Sequence, residues 1–167
     1  AGVSKPVLYQ HFEDGKLSLY LALVDITGKN LISKLQEALA STADNRQRVA
    51  ATISAYFDFI EDPDAAYRLV FESDLSNDPI VREKIDFYED ECAVLVSQVI
   101  AEDTGLSAEE AMILAMGLTG MAETAARRWL REGSRVPKRM AVNLVSRLAW
   151  RGISGVPRAS HALPETD

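Results

Sequence analysis

The chain has one cysteine, two histidines and less positive than negative charge, and each shortage closes off a class of protein. A lone thiol, Cys92, makes neither an internal disulfide nor a cysteine-rich metal site. At an apolar helical position it reads as a small buried hydrophobe rather than a redox switch. The histidines, His11 and His161, have no ligand-spaced partners, so neither a metal nor a cofactor is expected. There is no stretch of about 18 apolar residues, and the amino terminus lacks the basic, apolar and small-residue succession of an export signal. A cytoplasmic protein with no membrane partner is therefore expected. With 18 Lys and Arg against 25 Asp and Glu, the net charge of -7 excludes nucleic-acid binding through overall electrostatics and leaves room only for local contact.

What is present is enough apolar material, 47% of 167 residues, to bury a core of one compact domain with a small appendage. The charge is segregated. Residues 58–110 hold 16 acids and 3 bases, whereas residues 127–158 hold 9 bases and 1 acid. Two such regions either present solvated faces of opposite sign or lie against each other, within a subunit or across a dimer.

Apolar residues recur at spacings of three and four almost throughout, with no period-two stretch bounded by hairpin turns, so the fold class is all-α, with seven helices expected. A short helix near Lys5 to Phe12 precedes a long one from about Lys16 to Ala40, whose buried stripe is Leu17, Tyr20, Leu21, Val24, Leu31, Leu35 and Leu39. Asp44 caps a third helix that Glu61-Asp62-Pro63 breaks, and Asp64 starts a fourth that fades at Ser76-Asn77-Asp78. Pro79 opens a fifth helix that Gly105 ends, and Ser107 with Glu110 forms a capping box for a sixth, running to Glu132. Beyond Gly133-Ser134 and Pro137 a seventh ends near Gly152, followed by a tail expected to be loose.

The informative segment is the first, Ala1-Gly2-Val3-Ser4-Lys5-Pro6-Val7-Leu8-Tyr9-Gln10-His11-Phe12. Gly2 permits a tight turn between two helices, Val3 plugs the angle between them, and Ser4 caps the short helix that follows. Leu8 and Phe12 then face inward. Lys5, Pro6, Val7, Gln10 and His11 remain on outward or end-on positions, as in the second half of a helix-turn-helix that lays its recognition helix in the major groove.

The string A-G-V-S-x-x-x-L-Y-x-H-F, continued by Lys16, Leu19 and Tyr20, resembles the TetR (tetracycline-repressor-like) family of transcriptional regulators. The resemblance implies that Tyr9, His11 and Lys16 touch backbone phosphates and that Lys5, Pro6, Val7 and Gln10 lie nearest the bases, the first group setting position and the second reading sequence. Phe12-Glu13-Asp14-Gly15-Lys16 departs from the family by one inserted residue, and the family's two preceding helices lie outside this sequence. The implied organisation is a helix-turn-helix remnant over residues 1–24, a helical effector-binding and dimerisation domain over 25–158 and a flexible tail over 159–167.

Further implications are a repressor acting as a homodimer on a palindromic operator and released by a small molecule. Candidate chamber residues are Tyr56, Phe57, Phe59, Tyr67, Phe71, Phe87, Tyr88, Met112, Met116 and Trp129, a set that plain core packing would also explain. A large apolar pocket with few polar anchors suits a lipophilic effector such as a fatty acyl group, a drug or an aromatic compound. The last two helices offer a pairing surface. Small residues on the sixth, including Gly117 and Gly120, allow close approach, and the seventh carries Met140, Leu144, Val145 and Leu148, although internal core would explain these as well.

An enzyme would need a nucleophile and base, a metal cluster or a phosphate cradle, and none is found. Gly117-Leu118-Thr119-Gly120 lies within a helix, and Asp90-Glu91 and Glu109-Glu110 point about 100° apart on theirs. The rival reading is a non-catalytic helical scaffold or adaptor. A recognition helix supported only by its successor falls below the roughly 12 residues that hold alone in water. A chain starting at Ala1 is therefore expected to bind a palindromic operator weakly or not at all, while the chain extended by the two helices binds it. A mobility shift at low salt checks this, and nanomolar binding by the shorter chain would contradict it.

Overall fold

The computed structural model describes residues 15–62, 67, 70, 74–131 and 135–154. Among them are five α-helices and no strand. They are α1 (Lys16–Ala40), α2 (Asn45–Glu61), α3 (Pro79–Thr104), α4 (Ala108–Arg131) and α5 (Lys138–Ser154), with one 3-10 turn over Asp74–Asn77. The helices expected before α1 and between α2 and α3 fall wholly or mostly outside the described residues, although Tyr67 and Val70 are helical. The expected tail also lies outside them.

Local chemistry accounts for the boundaries. α1 follows Gly15, whose φ of 64° lies where side-chain-bearing residues rarely go, so this glycine makes the turn into the helix. The Asp44 carboxylate accepts from the Gln47 N–H at 2.8 Å and opens α2. That helix closes at Asp62, already extended, the state that a residue before proline favours. Asp78 accepts from the Ile80 N–H at 3.0 Å with Pro79 in the first turn of α3, and Gly105 ends α3 in the left-handed region at φ 73°. At α4 the capping box is reciprocal. The Ser107 N–H donates to Glu110 at 2.8 Å, and the Glu110 N–H donates back to the Ser107 hydroxyl at 3.3 Å.

α1 packs between α2 and α3, α3 lies along α4, and α5 covers α2 and α4. Leu31 and Leu35 of α1 meet Ile53, Phe57, Phe59 and Ile60 of α2 and Cys92 of α3, closed by Ala122, Ala126 and Ala149. The front half of α1, through Tyr20 and Val24, packs on Val81, Ile85 and Tyr88 of α3 and on Val70, whose carbonyl accepts from the Tyr20 hydroxyl. Ala93, Ala111 and Ala115 have no exposed surface and bring α3 and α4 together. Lys138 reaches Asp58 at 2.7 Å and Glu61 at 2.6 Å, so at the end of α2 the acidic and basic regions of the sequence do meet within one subunit.

Where α1 crosses α3, a Cβ on Gly28 would overlap the Tyr88 ring. The ring is itself buried and must shift to make way. Gly28→Ala is therefore expected to destabilise the fold by about 1 to 3 kcal/mol, the usual cost of overpacking. Urea unfolding at fixed protein concentration checks it, and an unchanged midpoint would show that the crossing yields freely.

Candidate functional site

Helices α1 to α5 line a partly open cavity of about 410 Å³, within the range of small-molecule sites. Its walls are mainly aliphatic and aromatic. Leu31, Leu35 and Leu39 come from α1, Val49, Ile53, Tyr56 and Phe59 from α2, and Ile85, Tyr88, Cys92, Val96, Val99 and Ile100 from α3. The α3 residues recur every three or four positions, so one face of that helix supplies the largest wall.

Two ionisable groups interrupt this face, Glu89 and Asp103, 14 residues and so about 21 Å apart along the helix. Asp103 stands 3.7 Å from Arg48 of α2. Arg48 also donates to the Thr42 carbonyl at 2.8 Å and to the Asn45 side chain at 3.0 Å, which holds the guanidinium at the cavity edge. Glu89 marks the other end. Although exposed by area, its carboxyl is pushed up to about 7, first by loss of hydration and then by Glu123 and Asp86, against the pull of Arg82 and Arg127. Glu123 lines the same end and is paired with Arg127 at 2.8 Å. Burial, with Glu123 next, raises the Tyr56 hydroxyl well above its usual range and keeps it protonated. Burial likewise pushes the Cys92 thiol up to about 12, so at neutral pH it is an unreactive wall group.

Of the aromatic and methionine candidates, Tyr56, Phe59, Tyr88 and Met116 line the cavity. Phe57 and Trp129 instead pack on each other with ring centroids 5.5 Å apart, and the Trp129 indole donates to the Val136 carbonyl at 2.8 Å. Tyr67 is buried edge-on to Phe59, Met112 packs on the α3–α4 seam, and Phe87 is 52% exposed. None of these five is among the lining residues, and Phe71 lies outside the described residues. Composition picked out the aromatic rings but not the aliphatic walls or Glu89, Asp103 and Arg48. The signal for the two acids was an ionisable residue interrupting an apolar helical stripe.

The second surface is the outer side of α4 and α5. Met140, Leu144 and Leu148 are each more than half exposed, and Ile113 and Met116 extend the patch across α4. A Cβ added at Gly117 or Gly120 would meet nothing within 4 Å, so these glycines leave the surface open to a close neighbour. Val145 is different. It packs inward on the core with Ala141 and Val142.

Of the candidate DNA-contacting residues, Lys5, Pro6, Val7, Tyr9, Gln10 and His11 lie outside the described residues. Lys16 is exposed at the first position of α1. Among the described residues no group of acids, cysteine and histidine could hold a metal, and no helix is long and apolar enough to cross a membrane.

No family model matches the chain. It is 43% identical over 157 residues to the HTH-type transcriptional activator FasR of Mycolicibacterium smegmatis, covering 94% of this chain and 71% of that protein. Its fold is similar to a TetR-like transcriptional regulator from Rhodococcus sp. RHA1, with a TM-score of 0.69 and 21% identity over 92% of this chain and 80% of that one. A transcriptional regulator from Pseudomonas aeruginosa PAO1 gives a TM-score of 0.71 and 20% identity over 92% and 76%. The all-helical order and the FasR likeness agree with the opening sequence motif, and the chain belongs to the TetR-like family of helix-turn-helix transcriptional regulators, which are not enzymes.

Proposed function

We propose that the chain is the sensing and pairing body of a dimeric, operator-binding regulator of the cytoplasm whose cavity takes a lipophilic small molecule. The observation that carries this is the cavity itself, apolar over most of its wall and bounded on one side by α1, the helix that follows the opening DNA-reading segment. An effector that fits a spread conformation better than the DNA-bound one shifts the population toward it. The shift moves α1 and takes two recognition helices off a half-site spacing of about 34 Å.

Pairing is supported by the outer patch of α4 and α5. Five large apolar side chains, Ile113, Met116, Met140, Leu144 and Leu148, are each at least half exposed in the single subunit, the pattern of a core cut in two. Two helices from each of two copies make a four-helix interface. The sequence resemblance led to an expectation of repression, whereas the mycobacterial relative is described as an activator. Binding chemistry at the operator is the same for both, and the sign depends on where the operator lies relative to the promoter. At this level of identity we take activation as the reading.

The full-length protein is expected to bind a palindromic operator as a dimer and to lose at least tenfold in affinity, about 1.4 kcal/mol, when a lipophilic ligand fills the cavity. Fluorescence anisotropy with and without ligand measures it, and an operator affinity indifferent to a bound ligand would overturn the effector reading. Leu144→Glu combined with Leu148→Glu should give monomers in light scattering and abolish operator binding; an intact dimer would place the pairing surface elsewhere.

Glu89 adds a pH dependence. Because its carboxyl is raised to about 7, it is mostly uncharged at pH 6 and mostly charged at pH 8. The neutral fluorophore N-phenyl-1-naphthylamine should therefore bind the cavity more tightly at pH 6, and Glu89→Gln should flatten the profile. A profile unchanged by that substitution would exclude Glu89 as its source.

A further inference from the structure

Tyr88 belongs both to the cavity wall and to the contact that seats α1. Its ring lines the cavity and lies so close to α1 that Gly28 has no room for a Cβ. Its hydroxyl leaves the cavity and donates to Asp25 of α1 at 2.7 Å. Asp25 is not among the lining residues, so the bond joins a group that touches cavity contents to one that does not.

Asp25 is also held by Lys84 of α3 at 2.6 Å and by Lys29, one turn along α1, at 3.1 Å. These donors keep its carboxyl well below the usual carboxylate range, Lys84 contributing most, then Tyr88 and Lys29. The lysine side chains are 40% and 70% exposed, so water screens their ion pairs. The tyrosine bond differs in kind. It is directional, and the ring that aims it cannot slide toward α1 because the Gly28 backbone already occupies that side. Asp25 lies nine residues after Lys16, about 14 Å along the helix, so a small tilt at Asp25 is magnified at the end of α1 nearest the DNA-reading segment.

We infer that Tyr88 is a positioning residue that couples the contents of the cavity to the seat of α1. A ligand that draws the ring toward the cavity pulls the hydroxyl off Asp25 and releases α1 to tilt. This rests on the effector reading above. Coupling is reciprocal: a ligand that prefers the released state is disfavoured by the intact bond to the same extent that it weakens that bond.

The test uses the full-length dimer with spin labels on Lys16→Cys, Cys92 being buried and unreactive, and N-phenyl-1-naphthylamine as the probe. In the parent protein, probe binding should shift the distance between the two labels. Tyr88→Phe keeps the ring and removes the hydroxyl, while Asp25→Ala removes the acceptor of the same bond from the side away from the cavity. Both should show the probe-bound distance without probe and shift little when it is added. Asp25→Ala, already in the released state, should bind the probe more tightly than the parent protein, and the double variant should add nothing to either single one. A residue that only stabilises the fold would lower the melting temperature without moving the distance. If both variants keep the parent distance and the full shift, the coupling through Tyr88 is overturned while the effector reading stands. If the parent protein itself binds no probe, or binds it without a shift, the effector reading fails and the coupling with it. Should one variant fail to fold, the other decides.

Discussion

The crossing of α1 over α3 at Gly28 and Tyr88 is the constraint on which the remaining arrangement depends. A side chain on Gly28 would force the helices apart. Contact here lets the front half of α1 share a core with Val81 and Ile85, while its back half, through Leu31 and Leu35, shares another with α2. The cavity opens beside the second of these packed regions, along α1 residues Thr27 to Leu39. A helix held at one crossing and lining a cavity beside it is placed to change its tilt without losing its whole core.

The helical period divides α4 and α5 between two tasks. Ala111, Ala115, Ala122 and Ala126 turn inward, where their small size lets α4 lie close to α3 and α2. Ile113 and Gly117 turn outward, and Met116 and Gly120 stand where the outer surface meets the cavity. On α5, Ala141, Val145 and Ala149 face the core, and Met140, Leu144 and Leu148 face away from it. Each helix is thus apolar around more of its circumference than the single-subunit core uses, and the excess is what a partner surface requires.

Charge is used sparingly inside. Arg48 meets Asp103 at one end of the cavity, and Glu123 meets Arg127 at the other, so most charge on the wall is compensated. Among the described residues Glu89 has no such close ion pair, and its carboxyl is pushed up to about 7. At the cavity edge, partial loss of hydration and the neighbouring Glu123 and Asp86 together favour the neutral acid.

Helix class, most helix ends and the family were legible in the amino acids, because each is set by neighbours close in the chain. A carboxylate two or three residues from an N–H caps α2 and α3, a Ser107-to-Glu110 pair caps α4, glycine tolerates the left-handed turn at Gly105, and the opening motif is contiguous. Which apolar residues line a cavity, which fill the core and which face outward was decided by tertiary structure. Phe57 and Phe59 sit two residues apart on one helix and are both fully buried, yet only Phe59 borders the cavity. Phe87 and Tyr88 are adjacent, and one is exposed while the other grips α1. Composition cannot separate such neighbours. Their roles depend on what stands opposite them, and for Phe57 and Tyr88 that is supplied by Trp129 and Asp25, 72 and 63 residues away in the chain.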